Sequence, residues 1–330
     1  MTGISDIPVT ADAFFDETLL RRARPNLTHR LGSQTKPLPQ NAGTETIRFR
    51  RYTKLPQNTV ALTEGTTPAG KTLAATLITA TIAQYGDFVR IFDRLAGISK
   101  EAIFAETNSL LGDQAGESFD SIIRDVIYAG TAVEFADTAV SRVTVAAGMI
   151  IELVDIRDAV QVLRDNDASL FTEQISASDG VGTVPIPKAY WGLVHTSQRQ
   201  TLKAMTGFTE VHKYSDPSIA LPSEIGEIEG VRFMETTNGK VFVGDGAAGI
   251  DVYATLIYGQ GFHAVVEPGT PTPKAGEPAS PLGLRFIAHT FGSSGEGDPL
   301  DQRASGGWKG DLAAVILNNN FGIRIEAALV

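Results

Sequence analysis

The chain has 330 residues, 42% of them hydrophobic and 20% charged, which is typical of a globular protein. Its 38 acidic residues outnumber its 28 basic residues, and the net charge of −10 argues against a protein whose main task is gripping DNA phosphates. The absence of cysteine excludes a disulfide framework and a cysteine-based zinc site.

The first forty residues have the composition of an extended arm. The pattern favours a short helix over residues 11–22, and Pro25, Pro37 and Pro39 favour extended chain after it. Because this segment has too few apolar residues to form its own core, we expect it to lie on something else. Residues 1–13 show no basic region followed by an apolar run, so we expect no signal peptide.

Two stretches predict a long β-ribbon. Residues 44–52 alternate, with Ile47 and Phe49 on one face, and residues 72–92 are rich in threonine and β-branched side chains, with an interruption expected at Gly86. Between them lies a loop rich in glycine and proline. An isolated two-stranded hairpin is marginally stable in water, so the ribbon must pack on its own domain or on a neighbouring subunit. Its threonine-rich polarity favours the neighbouring subunit.

Residues 99–129 predict a helix with Ser99 as its N-cap and Gly130 as its stop, although Gly112 and Gly116 are candidate breaks. Its apolar stripe has helical spacing and consists of Phe119, Ile122, Ile123, Val126 and Ile127. We expect the stripe to pack against a sheet that includes a strand over residues 189–196.

The rest of the chain predicts two shorter helices and many strands, which indicates the α+β class. One helix is expected over residues 155–165 with Asp155 as its cap, and another over 198–205 with Ser197 as its cap. Further strands are expected over residues 231–236, 240–243, 251–258, 262–266, 284–290 and 321–327. The composition of residues 267–281 predicts a surface loop. No apolar stretch approaches ~20 residues, so we expect no membrane span.

Residues 244–249 (GDGAAG) match the glycine spacing of dinucleotide-binding enzymes. Such a site needs a helix directly after the glycines, and the following residues predict a strand instead. We therefore interpret Gly244 to Gly249 as a turn between two strands, and keep a nucleotide-dependent enzyme only as an alternative.

No other residues show the spacing of a catalytic or metal-binding site. The five histidines lack the spacing of a helical metal pair; they are His29, His195, His212, His263 and His289. Acidic pairs occur at Asp155 and Asp158, Asp165 and Asp167, and Asp298 and Asp301, where capping explains the first pair best. Ser197 near His195 lacks a nucleophile elbow. We predict no enzyme activity, no catalytic or metal-binding residue and no cofactor.

Basic side chains form two clusters near the start of the chain: Arg21, Arg22 and Arg24, then Arg48, Arg50, Arg51 and Lys54. They are either solvated charge or contacts with acidic surfaces of neighbouring subunits. Nucleic-acid binding is the third alternative, disfavoured by the acidic chain and by the few interleaved aromatic residues.

Eight stretches in order resemble a known family. They are TETIRFRRYTKL, LTEGTTP, ATIAQYGDFVRIFD, FDSIIRDVIYAGT, YWGLVHTSQRQTLK, IGEIEGVRFMET, IYGQGFHAV and DPLDQRASGGWKGDLAAVILNNNFGIRIE. Over about residues 40–330 the chain resembles the major capsid proteins of tailed bacteriophages of the N-four type. That family has the Hong Kong 97 capsid fold, which encapsulin shells and herpesvirus capsids share.

The resemblance implies a division of the chain into four parts. Residues 1–40 would be the N-terminal arm and 41–92 the extended ribbon, called the E-loop. Residues 93–205 would be the peripheral domain with its spine helix, and 206–330 the axial domain with strands that return to the peripheral domain.

The resemblance also implies a function. The chain would assemble with itself into pentamers and hexamers of an icosahedral head that encloses double-stranded DNA, in the host cytoplasm and then in the virion. A portal and a separate scaffolding protein are the implied partners, a decoration protein is a further one, and no membrane is involved. An encapsulin-type compartment shell is the alternative with the same fold.

Overall fold

The structure is a computed structural model that describes residues 27–38, 44–62, 64–65, 67, 69–94, 103–171, 174–176, 184–268, 284–289, 291–292 and 298–329. The α-helices in these ranges are α1 (Ile103–Ile127), α2 (Leu153–Asp165) and α3 (Arg199–Ala204). The strands are β1 (Gln34–Leu38), β2 (Thr46–Tyr52), β3 (Ala75–Thr81), β4 (Ala83–Phe92), β5 (Val133–Phe135), β6 (Tyr190–His195), β7 (Thr209–Glu210), β8 (Glu224–Ile228), β9 (Val231–Thr236), β10 (Val241–Phe242), β11 (Val252–Tyr258), β12 (His263–Pro268), β13 (Arg285–His289), β14 (Arg303–Ile316) and β15 (Gly322–Ala327). The predicted α+β class is confirmed.

The larger sheet has eight strands in the order β5-β15-β11-β6-β9-β8-β7, with β10 paired to β11. Side chains alternate between its faces, as a pleated strand requires. Trp191 and Leu193 on β6 pack in the core that includes α1, whereas Tyr190 and Val194 pack in the core that includes α2. The parallel pairing of β6 with β9 joins strands from both sides of residue 205. The division into peripheral and axial domains stays a prediction.

Helix α1 confirms the long helix expected from the apolar stripe. Phe119, Ile123 and Ile127 are fully buried and share one core with Trp191 and Leu193 of β6, as predicted. The helix runs through its two internal glycines without interruption. The predicted cap at position 99 lies outside the described residues. None of the helices in the described ranges is long and apolar enough to cross a membrane.

The smaller sheet runs β1-β12-β14-β13, with β4 on the other edge of β14. Strand β4 pairs with β14 from Ala83 to Phe92, so residues 83–92 do not belong to the ribbon predicted for them. The strand break lies at Ile82 and not at Gly86. Gly86 is needed for a close approach, because a Cβ atom there would lie 2.6 Å from the carbonyl oxygen of Trp308.

Residues 27–33 form a strap across the core and lead into β1. Leu27 is buried in the core of α1, and the His29 Nδ1 atom lies 2.6 Å from Asp120 Oδ2. The Tyr258 hydroxyl donates to the carbonyl oxygen of Leu31 at 2.9 Å. The expectation that residues 1–40 form an arm without a place in their own core is therefore wrong for residues 27–38, because buried polar and apolar contacts hold them. Residues 1–26, including the helix predicted over 11–22, lie outside the described residues.

Two predicted helix caps are wrong. Helix α2 begins after Glu152, and Asp155 lies at its third position, where its carboxylate accepts the Glu152 N–H at 2.7 Å. Before α3, the chain forms a short 3-10 turn capped by His195, whose ring accepts the Ser197 N–H at 3.1 Å. Helix α2 therefore begins two residues earlier than predicted, at Leu153, whereas α3 begins one residue later than predicted, at Arg199, after the 3-10 turn. Residues 269–281 of the predicted surface loop lie outside the described part.

Candidate assembly surfaces

The ribbon consists of β2, β3 and the loop of residues 53–74 that connects them. Its strands pair antiparallel from Thr46 with Thr81 to Tyr52 with Ala75. Ile47 and Phe49 are buried on one side, where they pack with Val266 of β12 and Ala313 of β14. The base of the ribbon is thus fixed to its own chain by an apolar face that the sequence predicted, although the threonine content had favoured a neighbouring subunit.

The four predicted contact residues on the ribbon have different surroundings. Arg51 donates to Asn318 Oδ1 at 2.6 Å and to the Leu317 carbonyl oxygen, so it ties the ribbon to its own chain. Lys54 lies 2.5 Å from Asp167, and both side chains are mostly exposed. Arg48 and Arg50 are exposed and have no hydrogen bond or ion pair within the described part of the chain. Arg21, Arg22 and Arg24 lie outside the described residues.

The loop of the ribbon carries apolar side chains that are exposed within the described part of the chain. The most exposed are Leu55, Val60, Leu62 and Leu73, at 50%, 75%, 72% and 61% of their maximal surface. Single exposed apolar residues are ordinary, but several on one projecting loop are typical of a surface that a partner covers. The sequence analysis did not single out these four side chains.

A second surface is the side of β4, β14 and β13 that faces away from α1, which we name the exposed sheet face. Its registers place Phe88 beside Gly307 and Gly307 beside Ile287, and Arg90 beside Ser305. The alternate residues on these strands, including Trp308 and Phe286, are buried towards α1. Phe88, Phe92 and Ile287 therefore remain exposed on the far side, at 57%, 55% and 43%.

Positive charge surrounds these apolar side chains. Arg90, Arg285 and Lys309 are exposed on the same face and have no ion pair within the described ranges. The Arg90 guanidinium lies over the Phe88 ring, 5.2 Å from its centroid. Two further charged side chains lie on this face: Arg303 lies 3.6 Å from Asp298, and Asp311 accepts a hydrogen bond from the neutral Gln84 amide and keeps its negative charge. The exposed sheet face is thus cationic and apolar in a chain that is acidic overall.

A polar cavity of about 530 Å³ lies beside α1 and the end of β9. Its lining carries mostly hydroxyl, amide and carboxylate groups, from Thr28, Glu117, Ser121, Thr196, Ser223, Glu235, Thr236, Thr237 and Asn238. Ser121 and Asn238 of the lining bond each other, and the lining also bonds residues behind it: Asn238 donates to Asp120 at 2.9 Å, and Arg199 pairs with Glu235 at 2.9 Å. In this lining no hydroxyl is paired with a histidine base, so the arrangement favours structural bonding over nucleophilic chemistry.

The glycine motif does not form a dinucleotide site. Gly244 to Gly249 lie in the connection between β10 and β11, which pair antiparallel, as the turn interpretation predicted. After a three-residue 3-10 turn at Ala247–Gly249 the chain enters β11, so the helix that would receive a pyrophosphate does not follow. This placement removes the basis of the alternative as a nucleotide-dependent enzyme.

The histidines are separated, and within the described residues no group of three His, Asp or Glu side chains could hold a metal ion. His29 is buried against Asp120, and His263 is buried beside the rings of Tyr258 and Phe262. Burial lowers the pKa of His195, and burial lowers the pKa of His263 to about 4. Their environments are those of core and turn residues.

His263 makes the stability of the fold sensitive to acid. The pKa of His263 in the folded chain, about 4, lies below the ordinary value of 6.5. The neutral ring therefore contributes its full share to the free energy of unfolding above pH 6.5, and this share is lost as the pH falls towards 4. At 1.36 kcal/mol per pH unit, the loss reaches about 3 kcal/mol. We expect His263→Phe to flatten this part of the stability curve measured by urea unfolding between pH 7 and 4. Exposed His289→Phe is the control, and equal curves for the two variants would contradict the assignment.

The predicted acidic pairs have structural partners. Asp155 forms the capping box of α2, and Gln161 donates to Asp165 at 2.7 Å. Burial, together with the nearby charges of Asp155 and Asp158, raises the pKa of Glu134 to about 7.

No family model matches the sequence, and no curated protein matches it. Solved structures do match. The capsid of Ralstonia phage GP4 superposes with a TM-score of 0.65 at 13% identity, over 92% of this chain and 88% of that chain. The cyanophage Pam1 capsid matches with a TM-score of 0.63 at 12% identity over 92% of both chains. The capsid of cyanophage P-SCSP1u gives 0.58 at 11% identity, over 91% and 87%.

These likenesses extend over about nine-tenths of the chain. Identities this low carry information about the backbone and little about individual side chains. They agree with the resemblance derived from the eight sequence stretches. The chain has the fold of phage capsid proteins.

Proposed function

We propose that this chain is the major capsid protein of a tailed phage, which assembles into pentamers and hexamers of an icosahedral head around double-stranded DNA. The observation that carries the proposal is the capsid-protein fold over about nine-tenths of the chain. The absence of a catalytic arrangement in the described residues is compatible with a structural role. The protein would be assembled in the host cytoplasm and function in the virion.

The proposal assigns roles to the parts of the fold. Helix α1 is the spine helix of the peripheral domain, and the ribbon is the E-loop. Segments after residue 205 contribute the axial domain around the capsomer axis. The arm is shorter than the sequence indicated, since the strap belongs to the chain's own core, and it comprises residues 1–26.

The ribbon supports self-assembly through its two different ends. Its base is held by buried Ile47 and Phe49, whereas its loop exposes four large apolar side chains. A specific interface usually buries more than ~1,000 Å² in total, and a projecting loop adds area that the edge of a compact domain lacks. One surface must also make near-equivalent contacts in pentamers and hexamers. We infer that the ribbon loop packs on a neighbouring subunit.

Other partners follow from this function. A portal protein and a separate scaffolding protein would be needed for a head that admits DNA, and a decoration protein could bind outside. The chain would enclose DNA without reading its sequence. Its net charge of −10 fits a shell that must not adhere to its contents.

Electron microscopy of the purified full chain tests the function. We expect closed shells of uniform size, and particles from infected cells should contain nuclease-protected DNA. A chain that stays monomeric under all assembly conditions, with its scaffolding protein present, would contradict the proposal. Shells that enclose an enzyme cargo instead of DNA would favour the compartment alternative.

The single charge-reversal variants Arg48→Glu and Arg50→Glu should each weaken assembly and leave the fold intact. Both side chains are exposed and lack partners in the described part of the chain, so their replacement disturbs no internal contact. Exposed contacts are each worth up to about 1 kcal/mol, and many copies add. We expect shells to dissociate at lower salt, measured by light scattering. Lys188→Glu, at an exposed position outside the ribbon with no ion pair in the described part of the chain, is the control, and equal salt resistance of all three would exclude these arginines from the interface.

A further inference from the structure

We propose that the polar cavity beside α1 and the end of β9 binds a small aliphatic diamine or polyamine, with one ammonium group held by Glu117 and another by Glu235. The inference goes beyond the proposed shell function and does not depend on assembly. The observations that carry it are the charge of the lining, the acceptor groups in it that have no donor, and the kinds of side chain that it contains.

The walls of the cavity are fixed by the core of the molecule. Phe119 of α1 is fully buried, and Glu117 and Ser121 of the same helix line the cavity. Another wall is the end of β9, where Met234 is fully buried directly before Glu235. Small-molecule sites are usually preformed in this way, and the volume of about 530 Å³ lies in their range.

The lining is negatively charged. Its two charged side chains are Glu117 and Glu235. Glu117 is exposed and has no ion pair within the described part of the chain. The Glu235 Oε1 atom pairs with Arg199 at 2.9 Å, whereas its Oε2 atom is buried and accepts no hydrogen bond from the described residues. A buried acceptor without a donor is costly, and a bound N–H group would remove that cost.

Hydroxyl groups add further acceptors around the two carboxylates. Four of them make no side-chain hydrogen bond with other described residues; they belong to Thr28, Thr196, Ser223 and Thr237. An alkylammonium group has three N–H donors and no acceptor, so it needs several acceptors around it. One carboxylate oxygen together with nearby hydroxyl oxygens provides such a set.

Ser223 shows that the lining is held in an unfavourable conformation. Its φ angle is 58°, in the left-handed region that residues other than glycine rarely adopt. The Ser223 carbonyl oxygen accepts the Glu235 N–H at 2.9 Å, which fixes the turn before β8 to the strand that carries Glu235. Residues held in this way occur preferentially at ligand sites.

The composition of the lining selects among ligands. The described lining has no aromatic or large aliphatic side chain to contact an apolar ligand, and no basic side chain to attract a phosphate. No group of three acidic or histidine side chains in the described residues could hold a metal ion, so a divalent cation finds no protein coordination shell. Because Glu117 and Glu235 lie on different elements, a ligand with an ammonium group at each end satisfies both.

Isothermal titration calorimetry of the full, unassembled chain with putrescine and spermidine at low salt tests the proposal. We expect one saturable site per chain. Butylamine, which has a single ammonium group, should bind at least tenfold more weakly than putrescine. Glu117→Gln and Glu235→Gln should each lower the affinity for putrescine at least tenfold. Glu106→Gln is the matched control, because it removes the same charge from an exposed position of α1 outside the cavity, and it should leave the affinity unchanged.

Glu117→Gln decides the test if Glu235→Gln fails to fold, since Glu117 has no ion pair in the described residues whereas Glu235 pairs with Arg199. Three results would overturn the proposal. They are equal affinities of the parent chain and Glu117→Gln, binding that never saturates and disappears with added sodium chloride, and displacement of putrescine by one Mg²⁺ ion per chain.

An ammonium group could also come from a lysine side chain of a neighbouring copy, and assembled shells distinguish the two sources. Shells that bind one putrescine per chain support the free amine. Shells that exclude putrescine, formed from chains that bind it before assembly, would assign the cavity to a neighbour's lysine and overturn the free amine as its occupant. Because the titration uses unassembled chains, its outcome is independent of whether the chain forms a head.

Discussion

Deleting residues 1–38 is expected to abolish folding, whereas deleting residues 1–26 leaves the fold intact. The longer deletion removes Leu27 from the core and β1 from the sheet, and it strips Asp120 of the two hydrogen bonds from His29, at 2.6 and 2.8 Å. Apolar burial at one leucine is worth about 2 kcal/mol. Each of the two hydrogen bonds lost from the buried Asp120 carboxylate, which keeps the bond from Asn238, costs about 1–3 kcal/mol. Together these losses approach the total stability of a typical domain.

Far-UV circular dichroism and urea unfolding of the two truncated chains would measure the difference. The shorter deletion should keep the unfolding midpoint of the parent chain and lose assembly, since it removes only the proposed N-terminal arm. The variant Leu27→Ala with His29→Ala in the full chain is the matched control, which should lose stability without shortening the chain. Cooperative unfolding of the 1–38 deletion at the parent midpoint would show that the strap is dispensable.

The second large effect is expected at the buried ion pair between Arg232 and Glu224. Both side chains are fully buried, Arg232 donates to Glu224 at 2.7 and 2.8 Å, and the Tyr214 hydroxyl donates to the same carboxylate. Glu224→Ala would remove the carboxylate that accepts two hydrogen bonds from the buried guanidinium. We expect a loss of about 3–5 kcal/mol in the free energy of unfolding.

Two comparisons separate charge from packing in this experiment. Replacing both partners, Glu224→Leu with Arg232→Met, should recover most of the loss, because no unpaired charge remains. Arg157→Gln breaks the exposed pair with Glu229, whose side chains are 56% and 36% exposed, and should cost less than about 1 kcal/mol. Equal losses at the buried and exposed pairs would refute the role of burial.

The elements with a clear period could be predicted from the sequence. Helix α1 and strands β6, β9 and β11 emerge from apolar spacing alone. The longest strand, β14, could not, because SGGWKGD within it has the composition of a loop. Those glycines are needed for contacts made across the sheet: a Cβ atom at Gly307 would lie 2.8 Å from Phe88 Cβ, and one at Gly310 would lie 2.7 Å from the Phe119 ring. Tertiary packing, which the sequence pattern does not encode locally, overrides strand propensity there.

The candidate surfaces were partly predictable. The alternation of residues in β2 correctly placed Ile47 and Phe49 on one face. The polarity of the ribbon sequence could not show that this face packs on β12 and β14 of the same chain. The basic cluster of the ribbon could be recognised from the sequence. The sequence could not show that Arg51, one of its members, bonds within its own chain. The exposed sheet face had no local signal, since Phe88, Ile287 and Lys309 come from distant parts of the sequence and meet only through strand pairing.

The connection between β3 and β4 determines how force would travel through the molecule. Only Ile82 separates the two strands, so a pull on the ribbon passes directly into β4. Strand β4 is held to β14 over ten consecutive residue pairs from Ala83 to Phe92. A load along the strand axis would act on these backbone hydrogen bonds in shear, so many must break together instead of one after another. The ribbon is thereby anchored along the full length of β4, and a pull on it would load the smaller sheet through many hydrogen bonds at once.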